Sequence, residues 1–505
     1  MSATEHAVRR LLVDARPIFH PTAGGRGVGN HVAGLLEGLA EGDTPVTALL
    51  GSERERAALD PAVVAGIDVD VLGRPAIRRA VGPGTWYLAT SLFLHPISLD
   101  PIPASVTEAG LPVAGLLYDV IPYRYPEQYL TEDDPLRQAR LRAVLSRTVD
   151  VFGTNSEFVS RTAVEVLGLD PARLHVTGCG VAARFRPGGR ATARSVARPY
   201  LAGAHQSIVA AITGGDDRKN TDGLLNAWAL LPRATRIART LVVIAGASDD
   251  VLRRWIRSAA ELGITGEVRF AVDADDDQVV AMLQAAELVV VPSLEEGFGL
   301  PVLEGAACGA PVVCSGVSSL PEVLPEPRAH FDPNDASDMA RVIDRALTDE
   351  ALRAVLTSAA GDALERWTWR RVARDVVSAM ASTTPLRRTR SPRRRYAVLA
   401  EDLAAAAPMV AEIRARVPDA EVTIGLDPVG PATRVPFVDG TFLATALGRY
   451  IKTNDLDGIV AVVDEDTAST TLAPLAASHG AAVAAHSDDP AATERCIDAL
   501  GLHRV

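Results

Sequence analysis

Apolar and polar positions along this chain switch repeatedly between two periods. Runs of branched residues with few charges occur at 11–18 (LLVDARPI), Val46 to Leu50, Pro112 to Tyr118, 207–215 (SIVAAITGG), 241–249 (LVVIAGASD) and Ala286 to Val291. Such runs suit strands buried on both faces of a parallel sheet. Between them apolar residues recur at helical spacing: Val28, Val32, Leu35, Leu36 and Leu39, then Phe158, Val159, Val166 and Leu167, then Leu224, Leu225, Trp228 and Leu231. A polar helix is expected from about Asp134 to Arg147, and a last long helix from about Ala363 to Met380 carrying Trp367 and Trp369. Strands alternating with helices predict an α/β chain with parallel sheets.

The pattern restarts at Tyr396, with strand-like segments at 395–402, 420–427, 457–465 and 481–487 and a helical one at 407–417. A small α/β module is expected there, and no motif in it carries chemistry. At 505 residues the chain exceeds one ordinary core, so two or three domains are expected. The patterns divide it into 1–190, 200–382, a basic linker at 383–395 and the module at 396–505, with Pro187 to Arg198 joining the first two.

The densest chemistry follows the Ala286 to Val291 run. Residues 293–304 read SLEEGFGLPVLE. A strand stops at Pro292 and a helix is expected to start at Pro301, whose missing N–H costs nothing at a first helical position. Gly297 and Gly299 bare the backbone around Phe298, so free amides at a helix N-terminus face outward there and make a natural seat for phosphate. Glu296 before the turn and Glu304 in the first helical turn supply acceptors for hydroxyls. Paired carboxylates also serve glycoside hydrolases when they stand roughly 5 to 9.5 Å apart, a separation that the spacing leaves open. A second polar cluster, Asp216-Asp217-Arg218-Lys219-Asn220, lies between the 207–215 strand and the next helix, with Asn220 expected at the N-cap. Arg218 and Lys219 there can neutralise a diphosphate. Lys219 is conspicuous, because only one other lysine, Lys452, occurs among 51 basic residues. Gly27 and Gly29 lie in a glycine-rich turn (24–30) that lets the backbone approach a ligand, and Asp119 ends the Pro112 to Tyr118 strand, where a carboxylate serves either function or loop capping.

Charge and cysteine usage narrow the classes. A net charge of −12 argues against a general nucleic-acid binder. The four cysteines, Cys179, Cys308, Cys314 and Cys496, show no paired spacing, so neither a disulfide framework nor a zinc site is expected. With no apolar membrane-length segment and no leader-like start, a cytoplasmic protein without metal or cofactor is expected. Six arginines between Arg387 and Arg395 suit either a solvated linker or peripheral contact with anionic lipid at the inner membrane face.

The E-x7-E spacing of Glu296 and Glu304 around G-F-G-L-P, with 307–313 (ACGAPVV) and 318–323 (SSLPEV) behind it, resembles the retaining nucleotide-sugar glycosyltransferases of family 4. The resemblance covers about residues 10 to 381. It implies a GT-B fold, two Rossmann-like domains facing a cleft, with a nucleotide-sugar donor and a hydroxyl of a glycan or lipid-linked acceptor as partners. It also implies roles. Arg218, Lys219 and the amides of Gly297, Phe298, Gly299 and Leu300 would meet the diphosphate, Glu296 the sugar hydroxyls and Glu304 the ribose. Ala271 and Val272, in the 270–273 loop, would line the base pocket, Gly27 and Gly29 would face the diphosphate and acceptor across the cleft, and Asp119 is a candidate catalytic residue beside them. The chain departs from the family pattern at Tyr118, where histidine is usual, and at Cys179 and Ala182, where asparagine and aspartate are usual. Gly214-Gly215 also lack the arginine that many members carry. These departures keep a GT-B scaffold that binds without turnover open as the alternative.

Overall fold

The computed structural model describes residues 7–20, 27–92, 101–129, 148–201, 207–272 and 274–386, and the strands 395–400, 421–426, 458–461 and 482–485. The turn residues 24–26, the expected helices at 134–147 and 407–417, Asp273 and the arginines at 387–394 lie outside the described residues. Two compact units result. One gathers residues 1–19, 44–115 and 384–505, the other 20–43 and 116–383.

The first unit is built on β1 (Arg10–Asp14), β2 (Val46–Leu50), β3 (Asp68–Val71), β4 (Thr85–Ala89) and β5 (Val113–Leu117), in the order β3-β2-β1-β4-β5. All neighbours are parallel. The tail contributes β14 (Arg395–Ala400), β15 (Glu421–Leu426), β16 (Gly458–Ala461) and β17 (Ala482–Ala485), a parallel sheet ordered β15-β14-β16-β17. Each of these four strands falls on one of the four strand-like runs after Tyr396.

In the second unit β6 (Val151–Thr154) pairs with β7 (Leu174–Val176). Its main sheet joins β8 (Ser207–Ile212), β9 (Arg239–Ile244), β10 (Val268–Ala271), β11 (Ala286–Val291), β12 (Val312–Ser315) and β13 (His330–Phe331) in the order β10-β9-β8-β11-β12-β13. Val289, Val290 and Val291 are fully buried, and each such side chain contributes about 1.5–3 kcal/mol. Strand order reverses between β8 and β11. In open parallel sheets the crevice at such a reversal, beyond the carboxyl ends of the strands, is where ligands bind. The two polar loops singled out in the sequence follow these two strands.

The expected last helix is two helices. Glu350–Arg366 ends at Trp367, and Trp369–Ser382 restarts with the Thr368 side chain accepting from Arg371 N. Trp367 breaks the run because it turns inward, meeting Phe298 edge-on with ring centroids 5.2 Å apart. The Trp369 indole lies where Cβ atoms on Gly34 and Gly180 would be, so the Gly27–Ala40 helix can pack closely on Trp369–Ser382.

Candidate functional site

After β8 the chain makes a short 3-10 turn, Asp217–Lys219, started by Asp216, whose Oδ1 accepts from Arg218 N at 3.0 Å. Asn220 holds the N-cap position of the Thr221–Leu230 helix but does not cap it. It has left-handed backbone (φ 57°), and its Nδ2 instead donates to the carbonyls of Pro292 and Pro333 at 3.0 and 2.8 Å. That side chain therefore ties the β8 loop to the β11 loop. Leu294 N adds a bond to Arg218 O at 2.7 Å.

After β11 the backbone carbonyls of the motif loop are held by serines from other segments. Ser319 Oγ donates to the Glu296 and Phe298 carbonyls at 2.9 and 2.7 Å, and Ser156 Oγ to the Gly297 carbonyl at 2.6 Å. With those carbonyls turned to protein, no hydrogen bond among the described residues uses the N–H groups of Gly297, Phe298, Gly299 and Leu300. The amides lead into the Leu300–Ala307 helix, which starts one residue earlier than expected, with Leu300 first and Pro301 second. The two glycines serve different needs. Gly299 takes φ 111°, which a side chain resists, and a Cβ on Gly297 would stand 2.5 Å from the Tyr118 carbonyl oxygen. Phe298 itself points away into the core against Trp367. Its contribution to a ligand is backbone only.

The structure brings Arg218, Lys219 and Glu296 into one cluster. Lys219 Nζ lies 2.6 Å from Glu296 Oε1 and Arg218 Nη1 3.3 Å from Oε2, while Ser293 Oγ donates to Oε1 at 2.8 Å. Burial alone would raise the carboxyl's pKa, but the two cations and these hydrogen bonds more than offset it and hold Glu296 below the usual range. Asp119 lies against the same loop, its Cβ 2.9 Å from where a Gly297 Cβ would be. Its Oδ1 accepts from Ile121 N at 3.1 Å, the loop-capping role. Burial raises its pKa, against the pull of Arg218.

Glu304 lies past the first turn of its helix rather than in it, because the helix starts at Leu300, and it is half-buried. Desolvation pushes its pKa from 4.5 up to about 7 despite Arg184 and Lys219. Because the folded state favours the protonated form, the stability this contributes is present below the ordinary carboxylate pKa and is lost as pH rises through 7. The loss is on the order of 3 kcal/mol. Between pH 5 and 8 the melting temperature should therefore fall more steeply for the native protein than for Glu304→Gln. Parallel slopes would count against this environment for Glu304.

Of the remaining expected residues, Ala271 is buried and Val272 half-buried at the carboxyl end of β10. Phe270 beside them stacks on Trp255 at 5.8 Å. Gly27 opens the Gly27–Ala40 helix and is exposed, whereas Gly29 is buried. No hydrogen bond among the described residues joins either glycine to the motif loop. At the departures from the family pattern, Cys179 is buried with Sγ 3.1 Å from His31 Nδ1, and the His31 ring stands edge-on to Tyr118 at 5.0 Å. Burial lowers the His31 pKa to about 3, so the ring is neutral.

Several residues at the site carried no sequence signal. Tyr125, Arg124 and Tyr129 reach Glu295 and Asp216 across 170, 171 and 87 positions. Glu322, in the quoted 318–323 segment, accepts from the N–H groups of Glu157 and Phe158 at 2.7 and 2.8 Å, seating the Glu157–Leu167 helix whose N-cap is Ser156, as expected. In the first unit, fully buried Asp14 ends β1 and pairs with Arg16 through bonds of 2.7 and 2.9 Å, with Ser91 Oγ donating at 2.9 Å. Its only trace was a charge closing an apolar strand.

Comparison with known proteins bears on one domain and on the fold. Residues 203–362 match the model of the glycosyl transferases group 1 family. In fold, the chain resembles Anabaena HepE solved in complex with UDP (TM-score 0.55, 18% identity, 74% of this chain and 100% of that one). It also resembles WaaG, a glycosyltransferase involved in lipopolysaccharide biosynthesis (TM-score 0.51, 15% identity, 74% and 100%). Residues 203–362 form a group 1 glycosyltransferase domain, and the fold is GT-B. Both loops of the candidate site belong to that group 1 domain. Among curated relatives, the O-antigen chain mannosyltransferase B of Escherichia coli is 31% identical over 228 residues, 45% of this chain and 59% of the relative. A D-inositol 3-phosphate glycosyltransferase of Salinispora tropica is 36% identical over 253 residues, 48% of this chain and 52% of the relative. The matches thus span between half and three-fifths of those relatives' lengths. Among the described residues no helix is long and apolar enough to cross a membrane.

Proposed function

We propose that the protein is a retaining glycosyltransferase that moves a hexose, of mannose type, from a nucleotide diphosphate sugar to a hydroxyl of a glycan or lipid-linked acceptor. The observation that carries this reading is the pairing of Arg218 and Lys219 through Glu296 beside the unused amides of Gly297 to Leu300, at the point where strand order reverses. Two fixed cations and a helix N-terminus suit charge that appears on a leaving diphosphate, where such donors act most strongly. Glu304, with its raised pKa, is suited to accept from or donate to a ribose hydroxyl near neutral pH. The departing phosphate takes the acceptor's proton, so the reaction needs no separate protein base.

A panel of nucleotide sugars with mannose, glucose and galactose, followed by linkage and anomer analysis of the product, tests this directly. Transfer with retained configuration is expected. Nucleotide binding without transfer or hydrolysis would instead favour a GT-B scaffold without turnover, the reading suggested by the buried Cys179–His31 contact where the family pattern has asparagine. Because Arg218 and Lys219 supply the positive charge, a chelator should leave the initial rate unchanged. Strict dependence on added magnesium or manganese would contradict the assignment.

A further inference from the structure

Two tyrosines on one short segment grip both sides of Arg218. The turns Ile121–Arg124 and Pro126–Tyr129 follow each other directly. Tyr129 Oη donates to Asp216 Oδ1 at 2.8 Å, and Asp216 Oδ2 accepts from Arg218 Nε at 3.0 Å. On the other side Arg218 Nη1 donates to the Glu295 carbonyl at 3.1 Å. The side chain of Glu295 in turn accepts from Tyr125 Oη at 2.8 Å and pairs with Arg124 at 3.0 Å. Arg124 is itself held 5.6 Å from the centres of the Tyr125 and Phe158 rings. Burial and the Asp216 carboxylate push the Tyr129 pKa up, so its hydroxyl stays a donor at working pH.

We propose that Tyr129 and Tyr125 are positioning residues that orient the Arg218 guanidinium for the departing diphosphate. The proposal rests on the reading of the site given above. An arginine side chain carries about 2 kcal/mol of rotamer entropy, and a donor aids the transition state most when that freedom is already lost. The arginine's charge does not depend on the tyrosines, because Asp216 and Glu296 remain its partners without them. Their loss therefore acts through geometry.

The test is a double-mutant cycle in the full-length protein. A hydrogen bond to a charged group is worth roughly 1.5–3 kcal/mol, so Tyr129→Phe should lower kcat about tenfold or more, with donor KM changed less than twofold. In an Arg218→Ala background the same substitution should change kcat less than twofold. Tyr125→Phe should show the same dependence on Arg218 and serves as the second arm if Tyr129→Phe melts early. Equal losses in both backgrounds, or a loss confined to melting temperature, would overturn the proposal. Calorimetric titration of the native protein with GDP and UDP separates the two levels of failure. Native binding and turnover with an additive cycle removes only the clamp, whereas no nucleotide binding and no turnover removes the site reading and the clamp together.

Discussion

Lys219→Ala is expected to lower turnover of the preferred nucleotide sugar 10²- to 10³-fold while leaving the protein folded. Removing one preorganised donor to developing charge costs on the order of 3 kcal/mol in the transition state. Folding should survive because Glu296 keeps Arg218 at 3.3 Å and the Ser293 hydroxyl at 2.8 Å, so its buried carboxylate is not stranded. Lys219→Arg should be impaired less. A planar guanidinium retains the charge but needs room and a two-pronged partner where a compact ammonium sits 2.6 Å from one carboxylate oxygen. Lys452→Ala is the control and should turn over normally. Steady-state rates with melts for the three variants decide the matter, and native turnover by a folded Lys219→Ala protein would take the diphosphate clamp out of this mechanism.

The second large effect is expected at Glu296, where stability and turnover should fall together. Glu296→Ala leaves the Lys219 and Arg218 charges facing each other with the intervening carboxylate gone. Breaking a buried pair costs about 3–5 kcal/mol, and the lower end applies here because both cations keep some solvent contact. Glu296→Gln, which keeps the shape and an acceptor, should lose less stability and still lose rate. The pH dependence distinguishes the two glutamates. The Glu296 pKa is held down in the folded state, so its contribution is present above the ordinary carboxylate pKa and is lost as pH falls through the lowered value. Acid unfolding should consequently be shallower in Glu296→Gln, the reverse of the alkaline-side behaviour expected at Glu304. On free GDP or UDP affinity, Glu304→Ala should have the larger effect. Equal weakening by the two alanine variants would contradict their separate roles.

Much of this molecule is legible without coordinates because the relevant information is local. The strands β8 and β11, the break at Pro292, a helix start within one residue of Pro301 and the Ser156 cap follow from period, proline, glycine and serine within a few residues of one another. The cluster of Arg218, Lys219 and Glu296 was half legible. Each loop announced its chemistry, but only the adjacency of β8 and β11 makes their side chains partners. Tertiary packing alone decided that Asn220 would tie two loops rather than cap a helix, that Phe298 would face Trp367, and that Trp367 would split the last helix. It also decided that Tyr129 would hold Asp216 and Tyr125 Glu295, contacts between residues 87 and 170 positions apart. The physical reason is the range of the forces involved. Backbone geometry and hydrophobic period are written into neighbouring residues, whereas a hydrogen bond of 2.8 Å between distant segments exists only after the sheet order has placed their ends together.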